Sequence, residues 1–138
     1  MKKTILISFL LLSCTLFYGQ GTSYNLGFSQ VLNYEYTSNL GGYSELTVGT
    51  LTVPSNKVWK ITSGSLHDNL PQGQYSAALL VGKLTVFEIN RSGNYGVANT
   101  LLTPIWLSSG TYSVKIQNRY QNPLTFSGGL SIVEFNVE

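Results

Sequence analysis

From residue 22 onward, apolar and polar residues alternate in short runs, and Gly, Pro, Asn and Ser punctuate them. No segment repeats apolar residues at helical spacing for three turns, so the pattern predicts an all-β domain. In the first run, Phe28 to Tyr36, alternation puts Leu32, Tyr34 and Tyr36 on one face and Val31, Asn33 and Glu35 on the other. The segment Ser38 to Gly42 breaks it, and Glu45 to Val53 forms the second run. Pro54-Ser55-Asn56-Lys57 then turns the chain, because proline presets φ and removes a ladder donor.

The third run, Val58 to Leu66, places Trp59, Ile61 and Ser63 on one face, and a polar loop is expected from His67 to Gly73. Tyr75 to Val81 and Leu84 to Asn90 read as a hairpin closed at Gly82-Lys83. A turn from Arg91 to Gly96 leads to a short strand ending at Leu102, then to Pro104-Ile105-Trp106-Leu107. Tyr112, Val114 and Ile116 alternate cleanly, and a loop from Gln117 to Pro123 follows. The last strand runs from Phe126 to Val137, with Val133, Phe135 and Val137 expected inward and a bulge expected at Gly128-Gly129. About eight strands without helices fit one antiparallel two-sheet β-sandwich.

Ahead of this domain, Met1-Lys2-Lys3 and the apolar run Ile5 to Tyr18 have the form of a secretory signal, too short to span a bilayer comfortably. The expected division is a signal peptide at 1–21, cut after Gly21, and a domain at 22–138; cutting before Gln20 is the alternative. Such a leader implies a secreted or cell-surface protein. Leu11-Leu12-Ser13-Cys14 also has the form of a lipobox, and only lipidation of Cys14 would tie the protein to a membrane. Without that, the mature chain holds no cysteine, hence no disulfide and no thiol chemistry.

Removing Lys2 and Lys3 from the eight basic residues leaves six against six acidic ones, scattered along the chain. This balance argues against nucleic acid, which needs a clustered basic footprint. Charged residues make up only 10% of the chain, so the surface must be mainly neutral and polar, which suits sugars or other protein surfaces.

Catalytic chemistry finds little support. His67 beside Asp68 lacks a nucleophile on a strained turn, and one histidine with scattered carboxylates does not make a zinc set. No calcium loop or cofactor motif is present, so no cofactor is expected. A glycosidase pair drawn from the six carboxylates, with Glu88 and Glu134 as candidates, is the enzymatic alternative. The positive signal is aromatic. Tyr95, Trp106 and Tyr120 fall in or beside expected loops, where exposed rings stack on sugars or anchor protein contacts.

The segment LTVPSNKVWKI (Leu51 to Ile61) resembles a strand–turn–strand element of small exported and phage-tail-associated bacterial β proteins. The stretch from Ile105 to Phe135, with WLSSGTY leading in and FSGGLSIVEF closing, is similar to the last strands of tumour-necrosis-factor-like jelly rolls. The resemblance implies a jelly roll rather than an immunoglobulin-like sandwich, and a homo-oligomer, a trimer first. Together these features lead to the expectation of an exported, non-enzymatic binding or assembly module that contacts a glycan or surface protein. A tail-fibre or filament subunit is a further alternative.

Overall fold

A computed structural model describes residues 25–68, 75–92, 95–101 and 104–138, with the backbone alone at 92 and 95–101. The expected leader, Cys14 and most of the loop after His67 lie outside these residues. Nine strands and no helix make up the described chain: β1 (Leu26–Leu40), β2 (Glu45–Val53), β3 (Lys57–Asp68), β4 (Tyr75–Val81), β5 (Leu84–Ser92), β6 (Tyr95–Leu101), β7 (Ile105–Leu107), β8 (Gly110–Asn118) and β9 (Leu124–Val137).

The strands form a four-stranded sheet in the order β1-β9-β3-β7 and a five-stranded sheet in the order β2-β8-β4-β5-β6. Every pairing is antiparallel. The partners β1·β9, β2·β8, β3·β7 and β4·β5 nest one inside the next, as when a long hairpin is rolled around a barrel axis. This is the jelly-roll pattern, with β6 as an added edge strand.

Between the sheets lies one core, in which Leu51, Ile61, Leu66, Leu79, Ile89, Ile116, Phe126 and Ile132 are fully buried. Burying side chains of this size contributes about 1.5–3 kcal/mol each by transfer from water. The turns follow the local chemistry. Lys57 N donates to Pro54 O at 3.1 Å in the turn that carries the chain from β2 in one sheet to β3 in the other. Gly82, at φ 61°, takes the left-handed position of the β4–β5 hairpin.

Asn118, buried at the end of β8, holds a corner of the sandwich together. Its amide donates to Gly41 O and Asn122 O, both at 2.9 Å, and its Oδ1 accepts from Tyr120 N at 3.0 Å. The β1–β2 turn is thereby fastened to the β8–β9 loop, and Tyr43 N donates to Tyr120 O across the same corner at 2.8 Å.

Four sequence expectations need correction. Trp59 and Ile61 face the core, but a register shift between Ile61 and Ser63 turns Ser63 outward and brings Leu66 in. His67 belongs to β3, paired with Ser127, rather than to a loop. In β9, Leu130, Ile132 and Glu134 are buried, so Val133, Phe135 and Val137 point outward. Gly128-Gly129 forms no bulge, since both ladders run through it in continuous register. Glycine is needed there for another reason: an added Cβ would lie 2.4 Å from Ser65 O at position 128 and 2.7 Å from Tyr34 O at position 129.

Candidate binding face

The outward residues of β1, β9 and β3 divide one sheet face into two halves of opposite chemistry. Cross-strand register aligns Asn33, Ser131 and Ser63 in one row, Glu35, Gly129 and Ser65 in the next, and Thr37, Ser127 and His67 in a third. These three rows line a shallow groove of about 400 Å³. That volume lies in the lower part of the range, about 300–1,000 Å³, usual for small-ligand sites. Gly129 has no side chain at the centre of the middle row, so the polar side chains stand around a low floor.

Some groove residues satisfy one another. Ser131 Oγ donates to Asn33 Oδ1 at 2.8 Å, and the hydroxyls of Thr37 and Ser127 lie 3.2 Å apart. Glu35, Ser63, Ser65 and His67 use their side chains in no hydrogen bond or ion pair among the described residues. The groove wall is thus chemically unsaturated on the β3 side and at Glu35.

Toward the other end of the same face the rows become apolar. Val31, Val133 and Lys60 align with Trp106 of the short edge strand β7, and Phe28, Phe135 and Val58 form the next row. Phe28 is 66% exposed, Val31 55% and Trp106 49%. The Trp106 ring lies 5.6 Å from that of Phe135, and Lys60 Nζ sits 5.2 Å from the Trp106 ring centroid. A contiguous cluster of exposed aromatic and β-branched side chains marks a contact surface more often than scattered single residues do.

Beneath the apolar half, the inward side of the same strands carries a buried charge. Glu134 Oε2 accepts from Trp59 Nε1 at 2.8 Å, and Oε1 accepts from Ser29 Oγ at 3.0 Å and Gln30 Nε2 at 3.1 Å. Lys57 Nζ completes the set 3.3 Å from Oε1. The register shift between Phe28 and Gln30 lets Ser29 and Gln30 both reach Glu134 while Phe28 and Val31 stay outside. Burial pushes the Glu134 pKa up, but the hydrogen bonds from Trp59, Ser29, Gln30 and Lys57 outweigh it and hold the carboxyl below its ordinary value.

Of the three aromatic residues picked out by sequence, Trp106 lies on this face. Tyr120 is in a loop, as expected, but its ring packs against the core at the Asn118 corner instead of standing free. Tyr95 belongs to a strand rather than to the expected turn: it opens β6, paired with Ser92 at the far edge of the other sheet. Glu88 and Glu134 sit in different sheets: Glu88 is ion-paired to Arg119, and Glu134 is enclosed by its four donors. No three His, Asp or Glu side chains gather among the described residues.

No family model and no curated protein matches this chain.

Tyr36 gives the sandwich a marker on the opposite side of β1. Its hydroxyl is buried without a hydrogen-bond partner among the described residues, and its ring lies against Gly49 of β2. Burial, with a smaller contribution from Tyr34, pushes its pKa up to about 12. A raised folded-state pKa means that the stability contribution is complete below pH 10 and declines as the pH rises toward 12. Circular dichroism across this range should show the domain weakening, and Tyr36→Phe should flatten that loss. An unchanged alkaline limb in Tyr36→Phe would contradict the assignment.

Proposed function

We propose that this chain is an exported, non-enzymatic binding module, working at the cell surface or outside it through the outer face of its β1-β9-β3-β7 sheet. The observation that carries the reading is the juxtaposition on one rigid face of an unsaturated polar groove and an exposed aromatic patch. Sites built on strands hold their side chains in fixed register, which lowers the ordering cost of binding. The leader expected at residues 1–21, from Lys2, Lys3 and the apolar run Ile5 to Tyr18, supports the export half of the reading.

The aromatic half of the face also favours protein contact, including contact between copies of this chain, because buried interface anchors are enriched in Trp, Phe and Tyr. A trimer, as the tumour-necrosis-factor-like resemblance implies, would use that half. The enzymatic alternative gains no support from Glu88 and Glu134, whose carboxylates are engaged in separate ion pairs.

Retention of the purified protein on washed bacterial cells and insoluble polysaccharides tests the reading. The native domain should be retained, and the triple variant Phe28→Ser, Val31→Ser, Trp106→Ala should lose most of it while keeping its melting transition. Retention that survives this variant and disappears with Lys115→Glu, on the other sheet, would overturn the face assignment.

A further inference from the structure

We propose that the polar groove binds a neutral, hydroxyl-rich glycan, with Glu35 as the principal orienting acceptor; this rests on the reading of the sheet face as the contact surface. The groove's charge is informative. Its lining holds one carboxylate, Glu35, and one imidazole, His67, and includes neither Lys nor Arg. Phosphates, sulfates and uronic acids would meet no fixed cation there and would be repelled by Glu35, so the ligand is not anionic.

Hydrogen-bonding capacity narrows the class further. Ser131 donates to Asn33 Oδ1, so the Asn33 amide keeps its two N–H donors for a ligand. Glu35 offers acceptors only, whereas Ser63 and Ser65 both donate and accept. A partner matched to such a mixture must donate at one point and accept at the next across a few ångströms, which is what successive sugar hydroxyls do. An ionised carboxylate takes two hydroxyl hydrogens from neighbouring positions on a ring, and these charge-assisted bonds are the strong ones.

The groove also lacks the feature that would point to a protein ligand. Tyr34, Tyr36 and Leu130 also line it, but from the inward positions of β1 and β9, and its outward rows carry no aromatic or large aliphatic side chain on which a protein hot spot could lodge; those lie in the adjoining half. The low floor at Gly129 leaves room for a pyranose ring to settle between Glu35 and Ser65, which flank it in the same row.

Titration calorimetry with neutral hexasaccharides (gluco-, xylo- and manno-configured) and with hexagalacturonate tests this directly. At least one neutral chain should bind, hexagalacturonate should not, and Glu35→Gln should weaken binding by tenfold or more. Ser65→Leu, which fills the groove from the β3 side, should abolish binding with an unchanged melting temperature. Preference for hexagalacturonate, absence of binding to every neutral chain, or full affinity in both variants would overturn the proposal. If the proposal fails while cell retention still depends on Phe28, Val31 and Trp106, the face reading stands and only the sugar assignment falls.

Discussion

Replacing Trp59 by alanine should destabilise the domain by about 4 kcal/mol, the scale of removing a large buried aromatic side chain. Trp59 is core-facing, packs with its ring centroid 6.2 Å from that of Tyr34, and donates to the buried Glu134. Two costs therefore combine: a cavity between the sheets, and a buried carboxylate deprived of one of its donors. Trp59→Phe separates them. It retains most of the ring volume and removes the N–H, so it should cost about 1–3 kcal/mol, the usual range for an orphaned buried polar group.

The pH dependence of these variants distinguishes the two costs. Glu134 has a depressed folded-state pKa, so its contribution to stability is present above its ordinary pKa of 4.5 and is lost as the pH falls through the folded-state value. With the indole donor gone, the folded-state pKa moves back up and that contribution shrinks. Urea denaturation at pH 7 and at pH 3 should therefore show a smaller difference between native protein and Trp59→Phe in acid than at neutrality. Equal differences at both pH values would mean that the indole acts by packing alone.

Gly128→Ala should be the second severe lesion. The new methyl would lie 2.4 Å from the backbone oxygen of Ser65 and 3.2 Å from Leu66 Cδ1, inside the β3–β9 ladder. Backbone on both strands would have to move, and overpacking of this kind costs about 1–3 kcal/mol or more. Gly129→Ala meets one backbone oxygen, Tyr34 O at 2.7 Å, and should cost less than Gly128→Ala. Thermal unfolding of the two variants side by side checks the order. A Gly128→Ala protein as stable as the parent would show that the close approach of β3 to β9 is not required.

The two-sheet body was legible in the sequence because its turns carry strong local chemistry. Pro54 to Lys57 turns the chain from one sheet to the other and Gly82-Lys83 closes a hairpin, both where the alternation stops, and Tyr112, Val114 and Ile116 share one face. The inward and outward sides of β9 were harder to read. In β9 both parities are apolar, Leu130 and Ile132 against Val133 and Phe135, and the charge on Glu134 argues for an outward face on the very parity that the structure buries. Single-residue alternation does not anticipate a carboxylate buried by partners from β1 and β3. It also does not anticipate register shifts at Phe28/Gln30 and Ile61/Ser63, which depend on cross-strand geometry.

The candidate residues show the same limit. Trp106 was visible as an aromatic beside a turn, and it lies on the face. Tyr120 was visible for the same reason, but the Asn118 corner draws its ring against the core, a contact between segments far apart in the chain. Asn33, Glu35, Ser65 and His67 carry no individual signal. They become a site only when strands separated by about thirty and ninety residues are set side by side in one register.

The outer face of β1, β9, β3 and β7 is the proposed contact surface. Amide chemical-shift mapping of the protein, titrated with a mixture of the neutral hexasaccharides, tests this placement. The largest shifts should fall on Asn33, Glu35, Ser65, His67, Ser127 and Ser131. Shifts concentrated instead on β2, β8, β4 and β5, or on the loop around Tyr120, would contradict it.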